Sequence, residues 1–167
     1  MALQHEIAEL ERQLIDSGAA AVTLATAESA TAGGIADRLT DVAGSSDYFL
    51  GGVAAYSNQA KMRLLGVNAA TLRQHGAVSA QVACEMAEGA RQALGADVAV
   101  SDTGIAGPGG ATADKPVGLF YLGLATQSDC TAFRFVFRDG RRGNKDAAIA
   151  AALTLLRDYL LQCGNLR

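Results

Sequence analysis

Two spacings of hydrophobic residues run along this chain, one typical of helices and one typical of buried strands. Apolar residues that recur every three or four positions and end at a glycine indicate amphipathic helices. Leu3, Ile7, Leu10 and Leu14 have this spacing before Gly18. The predicted helices cover about residues 3–17, a segment ending near Arg38, a short segment from Ser57 or Asn58 to Leu65, about 79–95 and about 144–162.

Short apolar runs bounded by polar or turn residues predict five strands. They are AAVTLAT (20–26), YFLGGVAAY (48–56), ADVAVSDTG (96–104), VGLFYLGLAT (117–126) and CTAFRFVFR (130–138). The last two are expected to pair as a hairpin across QSDC. Because strands alternate with helices before that hairpin, the order predicts an α/β fold, a three-layer α/β/α domain with a mixed β-sheet. No repeat or linker interrupts it, so one domain is expected over residues 1–167.

Composition and charge indicate which classes of partner and which location to expect. Of the 167 residues, 50% are hydrophobic and 19% are charged, which is typical of a folded domain. The net charge is -3 and no long run of Lys and Arg occurs, so nucleic acid is not an expected partner. The charged N-terminal segment predicts no secretory signal and no membrane span. Three unpaired cysteines, at 84, 130 and 163, suggest neither a disulfide framework nor a zinc cluster, and a cytoplasmic location is expected.

The segment TGIAGPGGATADKPVG (103–118) is the one long irregular stretch, and it lies between two predicted strands. Its glycines would allow the backbone to approach an anion such as a phosphate and to offer several N–H donors. It is not a P-loop, because no Gly-Lys-Ser/Thr follows, and Thr112 replaces the last glycine of a dinucleotide fingerprint. The alternative is a flexible surface connection. Lys115 either adds a positive charge for a ligand or is solvated.

Ser29 follows the first predicted strand and precedes a helix, so its hydroxyl would project at the carboxyl edge of the sheet, where α/β domains bind ligands. It is a candidate nucleophile or, alternatively, a helix N-cap. No G-x-S-x-G elbow is present, and His5 and His75 lie in unsuitable positions for a triad. Tyr56 and Lys61 bracket the junction of the second strand and its helix, where a helix N-terminus and partial burial favour a neutral lysine base. Ordinary surface and core roles remain the alternative for both.

Several segments together resemble the CinA C-terminal domain family. They are AESATAGG (27–34), LTDVAGSSDYFLGGVAAYSNQAK (39–61), LLGV (64–67), QHGAVS (74–79) and TGIAGPGG through KPVG (103–118). The resemblance implies a stand-alone amidohydrolase of pyridine nucleotide recycling, which converts nicotinamide mononucleotide into nicotinic acid mononucleotide and ammonia with no cofactor and no metal. It also implies a homodimer.

The resemblance assigns the family's serine nucleophile to Ser29, its lysine base to Lys61 and its neighbouring tyrosine to Tyr56. In the implied mechanism Lys61, assisted by Tyr56, takes the proton of Ser29, and backbone N–H groups near Ser29 or in the glycine loop stabilise the oxyanion. The residues expected to bind substrate are Glu28, Thr31, Thr103, Gly104, Gly107, Gly109, Gly110 and Arg141.

The chain departs from the family's pattern at two places. Many members read E-S-C-T-G-G, whereas here Ala30 replaces the cysteine and Ala32 the first glycine. The family's Gly-Asp-Arg followed by arginine is here Asp139, Gly140, Arg141, with Lys145 later. These departures favour two alternatives, a non-catalytic nucleotide-binding or regulatory paralogue and a hydrolase of another small amide.

Overall fold

The computed structural model describes residues 22–41 and 43–164, and a five-stranded mixed sheet lies at its centre. The strands are β1 (Leu24–Glu28), β2 (Phe49–Ala54), β3 (Val98–Gly104), β4 (Leu119–Ala125) and β5 (Cys130–Val136). Their order is β2-β1-β3-β4-β5. β1 pairs parallel with β2 and β3, whereas β4 pairs antiparallel with both of its neighbours. The predicted mixed α/β sheet and its terminal hairpin are therefore confirmed.

Helices cover both faces of this sheet. They are α1 (Gly34–Thr40), α2 (Asn58–Leu65), α3 (Ala69–His75), α4 (Ala80–Leu94) and α5 (Gly140–Gly164). On one face, α1 and α5 bury a core that includes Ile35, Leu39 and Leu153. On the other face, α2 and α4 pack Leu65, Val82 and Met86 against the alanines of β1 and β3. The three-layer prediction is confirmed. None of the helices described here combines the length and apolarity that a membrane crossing requires.

The helix boundaries agree with the sequence where a cap marks them. The side chains of Ser57 and Ser79 accept the N–H groups that begin α2 and α4, and Gly95 ends α4 in the left-handed conformation. The short helix α3 was not predicted, although Asn68 caps it in the same way. α5 begins at Gly140, before the predicted Asn144. The predicted helix over residues 3–17 lies outside the described residues.

Parallel pairing brings three strand ends to one edge of the sheet. The carboxyl ends of β1, β2 and β3 point the same way, so the residues after Glu28, Ala54 and Gly104 gather there. Helix α2 begins at this edge and is held close to α4, because Gly89 has no side chain. A Cβ on Gly89 would lie 2.0 Å from the carbonyl oxygen of Leu65. This close contact fixes the helix that carries Lys61.

Candidate active site

Ser29 and Lys61 meet at the carboxyl edge of the sheet. Ser29 directly follows β1, and Lys61 lies in the first turn of α2. Lys61 Nζ is 2.8 Å from Ser29 Oγ, although 32 positions separate the two residues in sequence. The structure therefore brings together the hydroxyl and the amine that the sequence singled out.

Lys61 is buried, with only 1% of its surface exposed. Besides Ser29, its Nζ contacts the carbonyl oxygens of Ala55 at 2.9 Å and Tyr56 at 3.1 Å. Burial lowers the pKa of Lys61 below its usual 10.5, because an ammonium loses its hydration there; the carboxylate of Asp102 opposes this shift. The two carbonyls and one hydroxyl around Nζ suit both protonation states. An ammonium donates to all three, whereas a neutral amine donates to the carbonyls and accepts the hydroxyl proton.

Asp102 in β3 anchors the backbone of the segment that carries Ser29. Its carboxylate accepts the N–H of Ser29 at 3.0 Å, of Ala30 at 2.9 Å and of Thr31 at 3.3 Å. It is fully buried, and burial raises its pKa from 3.8 to about 6; the hydrogen bond from Thr31 opposes this rise and the nearby Glu28 carboxylate adds to it. Sequence reasoning missed Asp102, because it stands within an apolar strand and no motif marks it.

Glu28 and Thr31 lie beneath the site and not in its cavity. The carboxylate of Glu28 accepts backbone N–H groups at the start of α1, those of Gly33, Ile35 and Ala36. The hydroxyl of Thr31 contacts Glu28 at 2.7 Å and also the carboxylate of Asp102. Both side chains are buried and satisfied by these contacts. The structure therefore does not bring these two predicted substrate-binding residues to the cavity, where a substrate could touch them.

Ala32 adopts φ +55°, the left-handed region that glycine enters without strain. This is the position at which the resemblance implies a glycine. The chain keeps the turn with alanine, at a cost in backbone strain. Ala30 contributes its N–H to Asp102, and that bond does not depend on the side chain at this position.

A cavity of about 260 Å³ opens above Ser29 and Lys61. Predicted residues that line it are Ser29, Tyr56, Lys61, Thr103, Gly104, Gly107, Gly109, Gly110 and Arg141. Lining residues that the sequence did not predict to bind substrate are Ala30, Asn58, Ala77, Val78, Ile105 and Ala106. Ala77 and Val78 come from the connection between α3 and α4, which has no sequence signal for a ligand. The hydroxyl of Thr103 holds this connection by donating to the carbonyl of Ala77 at 2.8 Å.

Tyr56 contacts Lys61 through its backbone and not through its phenol. Its carbonyl oxygen accepts from Lys61 Nζ, while the residue is 66% exposed at the rim of the cavity. The expected assistance of Tyr56 to the lysine base stays a prediction, and the contact that the structure shows is through the main-chain carbonyl. The carbonyl of Tyr56 helps to hold Lys61 Nζ, and the ring of Tyr56 is an exposed aromatic surface at the rim of the cavity.

The glycine-rich loop after β3 lines the cavity and contains unpaired backbone donors. Within the described residues, the backbone N–H groups of Ala106, Gly107, Gly109 and Gly110 donate to no acceptor. The loop is fastened to the start of α5, where Arg141 Nη1 donates to the carbonyl of Gly107 at 2.7 Å and Asn144 Nδ2 to that of Ala106 at 3.0 Å. Amides and a guanidinium on one wall suit an anionic ligand group.

Lys115 turns away from the cavity. Its Nζ donates to the carbonyls of His75 at 2.5 Å and Val78 at 2.7 Å, so it ties the far end of the glycine-rich loop to the α3–α4 connection. In this structure it acts as a structural clamp, and Lys115 is not among the residues that line the cavity.

Comparisons with known proteins agree on one family. The model of the CinA C-terminal domain matches residues 6–160. A CinA-like protein of Salinibacter ruber is 56% identical over 138 residues, which are 83% of this chain and 34% of that protein. A putative competence-damage inducible protein of Moorella thermoacetica is 49% identical over 143 residues, 85% of this chain and 34% of that protein. This chain spans about a third of the length of these curated relatives.

Similar solved structures come from the same family. The competence/damage inducible protein CihA from Agrobacterium tumefaciens is 42% identical with a TM-score of 0.86, covering 90% of this chain and 93% of that one. The CinA superfamily protein KP700603 from Klebsiella pneumoniae is 30% identical with a TM-score of 0.89, covering 93% of this chain and 98% of that one.

Proposed function

The chain belongs to the CinA C-terminal domain family, and from that premise we propose that it hydrolyses the amide of nicotinamide mononucleotide, releasing nicotinic acid mononucleotide and ammonia. Ser29 is the nucleophile and Lys61 the base. One observation carries the proposal: a buried amine with a lowered pKa lies 2.8 Å from a serine hydroxyl at the floor of an open cavity.

The contacts of Lys61 account for its activation of Ser29. In its neutral form the amine directs two N–H bonds to the carbonyls of Ala55 and Tyr56, and its lone pair then faces the hydroxyl of Ser29. Ser29 transfers its proton to Nζ as its oxygen attacks the carboxamide carbon. The same two carbonyls then stabilise the ammonium, so the proton transfer requires no movement of heavy atoms.

The remaining steps return that proton to the leaving group. The ammonium of Lys61 protonates the departing nitrogen, the C–N bond breaks and ammonia leaves an ester on Ser29. A water molecule then gives a proton to Lys61 and attacks the ester, and Ser29 is regenerated as the acid departs. Each proton that Lys61 accepts is passed on, and the enzyme ends as it began.

Stabilisation of the oxyanion falls to the glycine-rich loop. The N–H groups of Ser29, Ala30 and Thr31 are already bound to Asp102, which removes the amides that most often serve a nucleophile. Ala106, Gly107, Gly109 and Gly110 line the same cavity, and their unpaired N–H groups are the donors that remain. The exposed ring of Tyr56 offers a stacking surface for the pyridine, and Arg141 offers a charge for the phosphate.

The proposal is tested by ammonia release from nicotinamide mononucleotide. Ser29→Ala should reduce kcat by about 10³-fold or more, and Lys61→Met by about 10²–10⁴-fold, because they remove the nucleophile and the base. Ser46→Ala and Lys145→Ala, which lie outside the cavity lining, are the matched controls and should keep wild-type rates. Thermal unfolding of each variant verifies that the fold is intact.

The alternatives give different results in the same experiment. Binding of the nucleotide measured by calorimetry with no ammonia released would replace the amidase with a regulatory binding protein. Release of ammonia only from other small amides would change the substrate and keep the mechanism. Full activity in Ser29→Ala would exclude the serine mechanism.

A further inference from the structure

Two cysteines that the sequence leaves unrelated meet in the structure. Cys84 lies in α4 and Cys130 begins β5, 46 positions later. Cys130 Sγ lies 3.8 Å from the carbonyl oxygen of Cys84, so the side chain of Cys130 is next to Cys84. Both are free thiols and partly exposed, so a small reagent can reach them.

The packing of α4 on the sheet holds the two cysteines in place. Gly123 in β4 lets α4 come close, because a Cβ there would lie 2.5 Å from the carbonyl oxygen of Ala83. Ser101 in β3 fastens the same carbonyl with a hydrogen bond of 2.6 Å. Cys84 directly follows Ala83 in α4. Cys130 lies on β5, the strand next to β4, and pairs there with Ala125. The proximity of Cys130 to Cys84 therefore follows from the core packing.

The two thiols differ in reactivity. The neighbouring thiol of Cys130 lowers the pKa of Cys84, although burial and the carboxylate of Asp129 oppose this. The same contact with Cys84, together with burial and the carboxylates of Glu88 and Asp129, raises the pKa of Cys130. Cys84 is therefore the attacking thiolate and Cys130 the thiol that reacts second.

We propose that Cys84 and Cys130 form an oxidation site that closes to a reversible intramolecular disulfide by exchange with a low-molecular-weight disulfide such as oxidised glutathione. The thiolate of Cys84 attacks one sulfur of the reagent and expels one glutathione. Cys130 loses its proton and attacks the sulfur of Cys84 in the mixed disulfide, which expels the second glutathione. The pair gives up two electrons and two protons, and one glutathione disulfide becomes two glutathiones. Neither cysteine lines the cavity, so this site is independent of the amidase proposal.

The experiment uses the full chain with Cys163→Ser, which leaves only the proposed pair of thiols. After reduction, removal of the reductant and incubation with oxidised glutathione, the chain should lose both thiols. Its mass should fall by two hydrogens, and a non-reducing peptide map should show the Cys84 and Cys130 peptides linked. Dithiothreitol should restore both thiols. The Cys163→Ser chain with Cys84→Ser or Cys130→Ser added is the control, and it should gain at most one glutathione.

Three results would overturn the proposal. They are retention of both thiols, a stable glutathione adduct on the Cys163→Ser chain, and a disulfide that joins two chains. Each shows that the contact between Cys84 and Cys130 does not lead to bond formation within one molecule.

Discussion

Replacing Asp102 with asparagine keeps the shape of the buried side chain and removes its charge and its titration. The carboxylate has a pKa of about 6 in the fold, against 3.8 ordinarily. A rise of this size corresponds to about 3 kcal/mol of free energy between the two protonation states. Because the folded protein holds this proton more tightly than the unfolded chain, the contribution of Asp102 to stability is greatest below pH 3.8. It declines as the pH rises to about 6 and stays low above that.

Urea unfolding at pH 4 and pH 7 measures this effect. From pH 4 to pH 7, the free energy of unfolding of the wild type should fall by up to about 3 kcal/mol more than that of Asp102→Asn. Asp97→Asn is the matched control, because hydrogen bonds from Thr23 lower the pKa of Asp97 and its contribution to stability is lost as the pH falls. The control should therefore change the pH dependence with the opposite sign. Identical pH dependence in the wild type and Asp102→Asn would refute the reasoning.

The same variant tests how Asp102 acts on the base. Its negative charge raises the pKa of Lys61 against the effect of burial, so asparagine should lower that pKa and shift the acidic limb of the kcat/KM profile to lower pH. A purely structural role would reduce kcat at every pH and leave the limb where it was. A shift to higher pH would contradict the electrostatic argument.

Three further substitutions, the first with a control variant, test other parts of the structure. Ala32→Gly should raise the free energy of unfolding by about 0.5–1 kcal/mol, because it relieves a left-handed backbone, while Ala30→Gly, without that strain, should lower it. Urea unfolding compares the two, and equal effects would contradict the strain argument. Gly89→Ala should destabilise by about 1–3 kcal/mol, because a Cβ would lie 2.0 Å from the carbonyl oxygen of Leu65; an unchanged melting temperature would refute this. Arg141→Ala should raise KM for the nucleotide roughly 10–100-fold with little change in kcat, and the reverse pattern in steady-state kinetics would argue against a phosphate contact.

The sequence predicts the fold and the central pair of the site because both follow from local rules. Alternating strands and helices predict a parallel arrangement, and parallel strands place the residues after them at one edge. Ser29 and Lys61 follow β1 and β2 in this way, so their proximity could be expected without coordinates. Helix boundaries could also be predicted where a capping residue such as Ser79 marks them, because a cap is a local feature of the sequence.

The parts that the sequence did not reveal depend on distant contacts. Asp102 is a buried strand residue whose partners are backbone N–H groups 71 to 73 positions away, and no local pattern records such a bond. Cys84 and Cys130 are likewise joined only by the packing of a helix on a sheet. Glu28 was expected among the substrate-binding residues, whereas its carboxylate holds the start of α1.

The anchoring of the nucleophile segment through main-chain N–H groups has a consequence for how relatives are recognised. Since Asp102 and Glu28 bind main-chain N–H groups of Ala30 and Gly33, exchanging one small side chain for another at the buried position 30 leaves Ser29 in place, whereas position 32 stays restricted by its left-handed backbone. Residue identity at position 30 is then a poor guide to lost chemistry. The two acidic residues beneath it should discriminate better between working and silent members of the lineage.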